Sequence, residues 1–207
     1  MTRDTSSKIG ASWRCLTKYR KDDLLFSTVI INAIPATLNP DYASLKTLVE
    51  QQVGDFRSQW SDAIRRRLPG LIWRGAVEFD LCRRDQIKDQ RRDLFADLGV
   101  LDADRVLVPH IHAVLVRGVH STDHINNELR RTFPGRRRVL NKTLFQHQSL
   151  EQALENLHGY THKQRLQYAD GGFDDVRTKF GDEYELPWLQ TIGKLYRELD
   201  CVFRSKV

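Results

Sequence analysis

The sequence predicts an α+β fold built on one antiparallel sheet. Three observations carry this reading. Strand-like runs of β-branched residues alternate with segments of helical period, in the order β-α-β-(insert)-β-α-β-α. The run 106–117, Val-Leu-Val-Pro-His-Ile-His-Ala-Val-Leu-Val-Arg, is apolar on both faces and has the composition of a central strand. The chain has 207 residues, enough for one domain with a real core, and carries no internal repeat, low-complexity tract or interdomain linker.

The elements follow in order. Residues 1–25 are polar and basic with scattered aromatics (Trp13, Tyr19) and read as an arm. Phe26 to Ile34 is a strand closed by Pro35, and Asn39-Pro40-Asp41 opens a helix. Leu45, Leu48, Val49, Val53, Phe56, Trp60 and Ile64 recur at threes and fours, so this helix is amphipathic up to Pro69-Gly70. Leu71 to Cys82 is a second strand. Residues 85–98 form a short charged helix, inserted before the third strand, with Ile87, Leu94 and Leu98 inward. Ser121-Thr122-Asp123 caps a helix through about Thr132, and Pro134-Gly135 turns into a strand over 137–146. A helix begins at Ser149 and runs to about Tyr168, where Asp170-Gly171-Gly172 ends it. A last amphipathic helix spans Pro187 to Arg204, with Leu189, Ile192, Leu195, Leu199 and Phe203 inward. The first six elements match the split βαβ, ferredoxin-like arrangement, a four-stranded antiparallel sheet with helices on one face. Its first and third strands are central, which suits the apolar character of 106–117.

Composition narrows the function classes. Hydrophobic residues make up 40% of the chain, and no apolar run approaches membrane-spanning length. The first residues lack the apolar segment of a secretory signal, so a cytoplasmic location is expected, with no membrane partner. Cys15, Cys82 and Cys201 are odd in number and widely spaced, which fits neither a CxxC metal pattern nor a disulfide framework. The formal charge is +6, gathered in Arg65-Arg66-Arg67, Arg83-Arg84, Arg91-Arg92, Arg130-Arg131 and Arg136-Arg137-Arg138. Arginine forks suit phosphate oxygens and point to a polyanion partner, most simply nucleic acid; the bland alternative is a solvated basic surface, and charge alone does not decide between them.

The chemistry starts from His110 and His112. Side chains alternate along a strand, so both point the same way, with Cβ atoms about 7 Å apart, and can offer two nitrogens to one metal ion. Either histidine alone reads as a satisfied core residue. A catalytic divalent ion needs a carboxylate besides, and Gly-Ala-Val-Glu-Phe-Asp-Leu on the second strand supplies Glu78 and Asp80 on one face. Glu78 is preferred because it lies nearer mid-strand; the competing reading is an edge-strand acid facing solvent. Further on comes Leu157-His158-Gly159-Tyr160-Thr161-His162-Lys163. Tyr160 and Lys163 lie one turn apart on one helical face. A tyrosine hydroxyl is a poor nucleophile at neutral pH, and a polarised phosphate beside a lysine cation eases its attack. The bland alternative is that Tyr160 belongs to the packing face. His158 and His162 read as solvated or phosphate-contacting groups.

His110-Ile111-His112 in an apolar strand, a Glu-bearing strand before it and Tyr160-Thr161-His162-Lys163 after it resemble the HUH endonucleases. Within that superfamily the chain is most similar to rolling-circle replication initiators of plasmids, phages and mobile elements. The resemblance spans residues 26–168. It implies Mg2+ or Mn2+ on His110, His112 and Glu78, with Tyr160 as nucleophile and Lys163 orienting phosphate or tyrosine. It also implies a 5′-phosphotyrosyl link with a free 3′-hydroxyl. The implied partner is single-stranded or hairpin DNA at an origin. No GxxxxGK[ST] pattern occurs, so a helicase would be a separate host protein. Tyr168 lies about 80° from Tyr160 around the helix, so a single-tyrosine enzyme is expected. The expected organisation is a basic arm over 1–25, a nuclease domain over 26–170 and a helical extension over 171–207 packed on that domain. The alternatives are a transposase of the same superfamily, a metal-dependent phosphohydrolase using water, and a non-catalytic nucleic-acid-binding module on the same sheet.

Overall fold

The computed structural model describes residues 11–37, 39–83, 89–100, 102–103, 105–161, 168–169 and 186–205. Its strands are β1 (Leu24–Ile30), β2 (Ile34–Ala36), β3 (Ile72–Arg83), β4 (Arg105–Val116), β5 (Val139–Thr143), β6 (Tyr168–Ala169) and β7 (Val202–Arg204). Its helices are α1 (Ala11–Arg14), α2 (Tyr42–Arg67), α3 (Asp89–Asp97), α4 (Thr122–Thr132), α5 (Leu150–Thr161) and α6 (Leu186–Glu198). The chain is therefore α+β, with six strands joined antiparallel and β6 added parallel to β3. The sheet order β5-β1-β4-β3 puts the first and third expected strands in the middle. No helix among the described residues is long and apolar enough to cross a membrane.

Strand β4 is buried along its whole length except at Arg105. Its odd-numbered side chains, Leu107, Ile111, Ala113 and Leu115, face the main core with α2, α4 and α6. Trp60 and Phe56 on α2 anchor that core against Phe133 and Phe203, with ring centroids 4.9 to 6.1 Å apart. Leu48 was expected in the buried stripe but is 40% exposed. At 100° per residue it falls about 105° from the stripe's centre. Asp41 caps α2 by accepting from the Ala43 N–H, and Ser121 caps α4 by accepting from the His124 N–H.

Helices cover both faces of the sheet, which corrects the one-faced expectation. Trp13 and Leu16 of the N-terminal segment pack with Ala153, Leu154 and Leu157 of α5 against Val114 and Val116. Residues 11–18 are thus helical and anchored by two fully buried side chains. Phe95 of α3 packs with Val106 and Val108 on that face. Phe95 lies off the helical pattern through Ile87, Leu94 and Leu98, and Ile87 lies outside the described residues.

Four boundaries differ from expectation for physical reasons. The first strand breaks into β1 and β2 around Ile31–Ala33. Four steps from Ile30 to Ile34 oppose three from His110 to Leu107, a one-residue bulge. Pro109 lies opposite it and has no N–H to give, while its carbonyl accepts from the Ile31 N–H at 2.9 Å. The missing donor therefore falls where the ladder is already interrupted. The strand expected over 137–146 is shortened to β5. The last helix stops at Glu198, and Val202–Arg204 turns back to pair with Arg74–Ala76. Tyr168 sits in a strand beside Leu81, not in a helix. Beyond β7, the outer edge of β3 is closed by the Val77 N–H donating to the Cys201 carbonyl at 2.8 Å. The Phe79 N–H donates to the Tyr196 hydroxyl at 3.0 Å, and β6 follows. An otherwise open edge is capped at each of these points.

Gly75 and Gly54 predict stability changes of opposite sign. A Cβ at Gly75 would lie 2.1 Å from the His112 backbone oxygen and 2.7 Å from the Ala113 Cα. Gly75→Ala therefore forces β3 and β4 apart and should cost about 1–3 kcal/mol. Gly54, inside α2, has nothing within 4 Å of its added Cβ. Gly54→Ala should stabilise by about 0.5–1 kcal/mol. Urea unfolding midpoints of the two variants, measured side by side, check both signs.

Candidate metal centre

The sheet register assembles the site. Glu78 on β3 is directly opposite His110 on β4, and Ala76 is opposite His112. On the other flank of β4, Thr28 of β1 is opposite His112. Residues directly opposite in an antiparallel pair share a face, so these side chains converge. His110 is 4% exposed, His112 7%, and Glu78 is half-buried. One nitrogen from each histidine and one oxygen of Glu78 lie within 4.8 Å of one another. Asp80 is two pairs further along, opposite Val108, and is not part of this cluster.

Hydrogen bonds fix the rings. His110 Nδ1 is 3.0 Å from the Val108 carbonyl oxygen, which can only accept, so Nδ1 donates, and in the neutral ring Nε2 carries the lone pair. His112 Nδ1 is 2.8 Å from Thr28 Oγ1. The two Nε2 atoms are 3.2 Å apart and the rings are nearly perpendicular, at 85°. Phe26, two residues before Thr28 on the same face, stacks on His112 at 5.3 Å between ring centroids. Both Nδ1 atoms are thus held from behind while both Nε2 atoms point inward.

This arrangement fits a divalent cation. Two nitrogens each about 2.1 Å from one ion and 3.2 Å apart subtend about 100° at it, between octahedral and tetrahedral angles. Two imidazoles and one carboxylate are a donor set that leaves positions open for substrate or water. Partners behind each ring are what metal-bound imidazoles commonly have.

The neighbourhood is a gap between two apolar clusters. Along the even face of β4, Val106 and Val108 pack under α3, and Val114 and Val116 pack under α5. The histidines occupy the two positions of that face between them. α5 therefore lies on the site's face of the sheet. At Tyr160 its backbone alone is described, and Lys163 and His162 lie outside the described residues. His158 meets Trp13 edge-on at 5.5 Å and is half-buried, a packing role in place of the expected solvated one.

Part of the basic excess is structural. Arg65 and Arg66 pair with Asp62, and Arg67 lies 3.6 Å from Glu128. Arg138 donates to the carbonyls of Ile30 and Ile31 at the bulge, and burial lowers its pKa. The Arg136 guanidinium donates to Asp93, and its backbone N–H donates to Asp97, both on α3. Arg130 and Arg131 remain exposed at the end of α4.

Sequence reasoning named the three converging side chains and missed Thr28, Phe26 and Gly75. Gly75 carried a signal, since an isolated glycine within a strand marks close backbone approach. Thr28 carried none, because the cross-strand register decides its neighbour. No family model, curated protein or solved structure matches this chain.

The triad predicts a metal-dependent gain in stability that its members share. Mn2+ at one hundred times its Kd should stabilise the full chain by about 2.7 kcal/mol. His110→Ala, His112→Ala and Glu78→Gln should each abolish the metal-induced rise in Tm, whatever they do to the metal-free value. Asp80→Asn should retain it. A parent-sized rise in His112→Ala would remove that residue from the ligand set.

Proposed function

We propose that this chain is a metal-dependent, site-specific single-strand DNA endonuclease. It nicks and transfers strands through a 5′-phosphotyrosine, initiating rolling-circle replication of a plasmid, phage or mobile element. The observation that carries the proposal is the convergence of Glu78, His110 and His112 on one sheet face. It is supported by the packing of α5, whose last turn contains Tyr160, on that same face. The strand order β5-β1-β4-β3, with α2 and α4 together on the opposite face, further supports a ferredoxin-like core.

His110, His112 and Glu78 would hold Mg2+ or Mn2+, which supplies Lewis-acid polarisation of a phosphate oxygen. In the proposed reaction the Tyr160 hydroxyl oxygen bonds to phosphorus and the bond from phosphorus to the 3′-oxygen breaks. The tyrosine loses its proton and the departing 3′-oxygen gains one, leaving a 5′-phosphotyrosyl ester and a free 3′-hydroxyl. Lys163 steadies the phosphate or the phenolate. The substrate is single-stranded or hairpin DNA, met in the cytoplasm, with strand separation by a separate host helicase.

Incubation of the full chain with labelled single-stranded DNA and Mn2+ should yield a protein–DNA adduct on a denaturing gel. Mass spectrometry should find the nucleotide remnant on the peptide containing Tyr160. Tyr160→Phe should lose the adduct while keeping salt-sensitive DNA binding, with a log–log slope of about 0.7 per phosphate contacted. Cleavage retained without adduct would make water the nucleophile and the chain a phosphohydrolase. Neither cleavage nor adduct with a metal-loaded protein would leave a binding module.

A further inference from the structure

We propose that Thr28 is the positioning residue of this centre, a hydroxyl that reverses its hydrogen-bonding role when a cation binds. The inference rests on the metal-binding reading of Glu78, His110 and His112, and needs no assumption about cleavage.

The two histidines are held by chemically different partners. The Val108 carbonyl can only accept, so His110 keeps its proton on Nδ1 with or without an ion. Its Nε2 lone pair then faces the Nε2 of His112 at 3.2 Å. Two lone pairs at that distance repel. Where the rings keep this spacing without an ion, one Nε2 must donate to the other, and with His110 protonated on Nδ1 the donor is His112, protonated on Nε2. The Nδ1 of His112 is then an acceptor, and Thr28, 2.8 Å away, must donate.

A cation needs both Nε2 lone pairs. His112 must therefore move its proton to Nδ1, and the group facing Nδ1 must become an acceptor. A carbonyl would already be an acceptor and would fix the metal-ready tautomer in advance; a backbone N–H would block it. A hydroxyl serves both states by rotating about one bond. His110 is thus the fixed ligand and His112 the exchanging one. Thr28 sits beside His112 because β1 pairs with β4 in the register Thr28↔His112. Phe26, stacked on the imidazole, holds the ring plane through the exchange.

The test uses the full chain with isotope-labelled histidine and Zn2+ as the probe. Long-range proton–nitrogen correlation spectra report which ring nitrogen carries the proton. The metal-free protein should show His110 protonated on Nδ1 and His112 on Nε2; with Zn2+ both should be protonated on Nδ1. By calorimetry, Thr28→Val should bind Zn2+ about 10–100-fold more weakly, the usual loss for a partner behind a metal-bound imidazole. Thr28→Ser should recover most of that loss. A metal-free His112 protonated on Nδ1, or on both nitrogens, would overturn the proposal. So would Thr28→Val binding as tightly as the parent while the parent binds normally, an outcome that leaves the metal centre standing. A parent that binds no Zn2+ would sink the centre and the exchange together.

Discussion

Two imidazoles sit in the middle of a strand whose other residues from Val106 to Val116 are all apolar, and the rest of the architecture answers that constraint. β4 is buried on both faces, so neither histidine has bulk water to satisfy its nitrogens. Each must find partners within the protein, and they do so through the Val108 carbonyl, the Thr28 hydroxyl and each other. Each of these partners is set by the path of the strand or the register of its neighbour. A one-residue slip of β1 would carry Thr28 to the opposite face and leave His112 facing the buried Ser27 or Val29 position.

The flanks of β4 supply that register in two different ways. Against β3, Gly75 lets the backbones approach where any Cβ would strike the His112 carbonyl oxygen. This keeps Glu78 opposite His110, since the same ladder runs unbroken from Ile72 to Arg83. Against β1, the ladder holds from Leu24 to Ile30 and then yields at the bulge facing Pro109. The proline that seems out of place in a central strand is thus tolerated one residue from His110. Arg138 closes the break by donating to the carbonyls of Ile30 and Ile31. An arginine read from sequence as a phosphate contact is instead a clamp on exposed backbone acceptors, which shows how poorly charge runs report their own purpose.

What was legible in the sequence is what period and parity encode. The two-residue alternation put His110 with His112 on one face of its strand and Glu78 with Asp80 on one face of theirs, and the 3.6-residue period located α2 and α4 to within a residue or two of their ends. Features decided by tertiary pairing were not legible. The bulge at Ile31–Ala33 has no local signature, because Phe26 to Ile34 reads as one apolar run whether or not its partner carries a proline. Val202–Arg204 continues the apolar spacing of α6, yet its backbone is claimed by the open edge of β3. Thr28 is an ordinary strand residue until the register sets it against His112. Trp13 reads as one of two scattered aromatics in a polar arm, and only the apolar flank of α5 explains its burial and that of Leu16.

Two imidazoles and a carboxylate do not choose a reaction, since the same donors serve hydrolysis, strand transfer and oxygen chemistry on iron. The choice has to come from what shares the face with them. Here the even face of β4 is closed at one end by α3 and at the other by α5, with the triad in the gap. On the proposed reading a substrate enters between these two helices, and the packing of Ala153, Leu154 and Leu157 puts α5 on the same side of the sheet as the triad. A tyrosine in its last turn can be a nucleophile in place of water, which suits an enzyme that must keep hold of one strand end after cutting. A phosphohydrolase has no use for such a group and would be as well served by any apolar residue completing the packing of Leu154 and Leu157. The sharpest distinction between the two chemistries therefore rests on the last turn of one helix, while the candidate triad of Glu78, His110 and His112 is common to both.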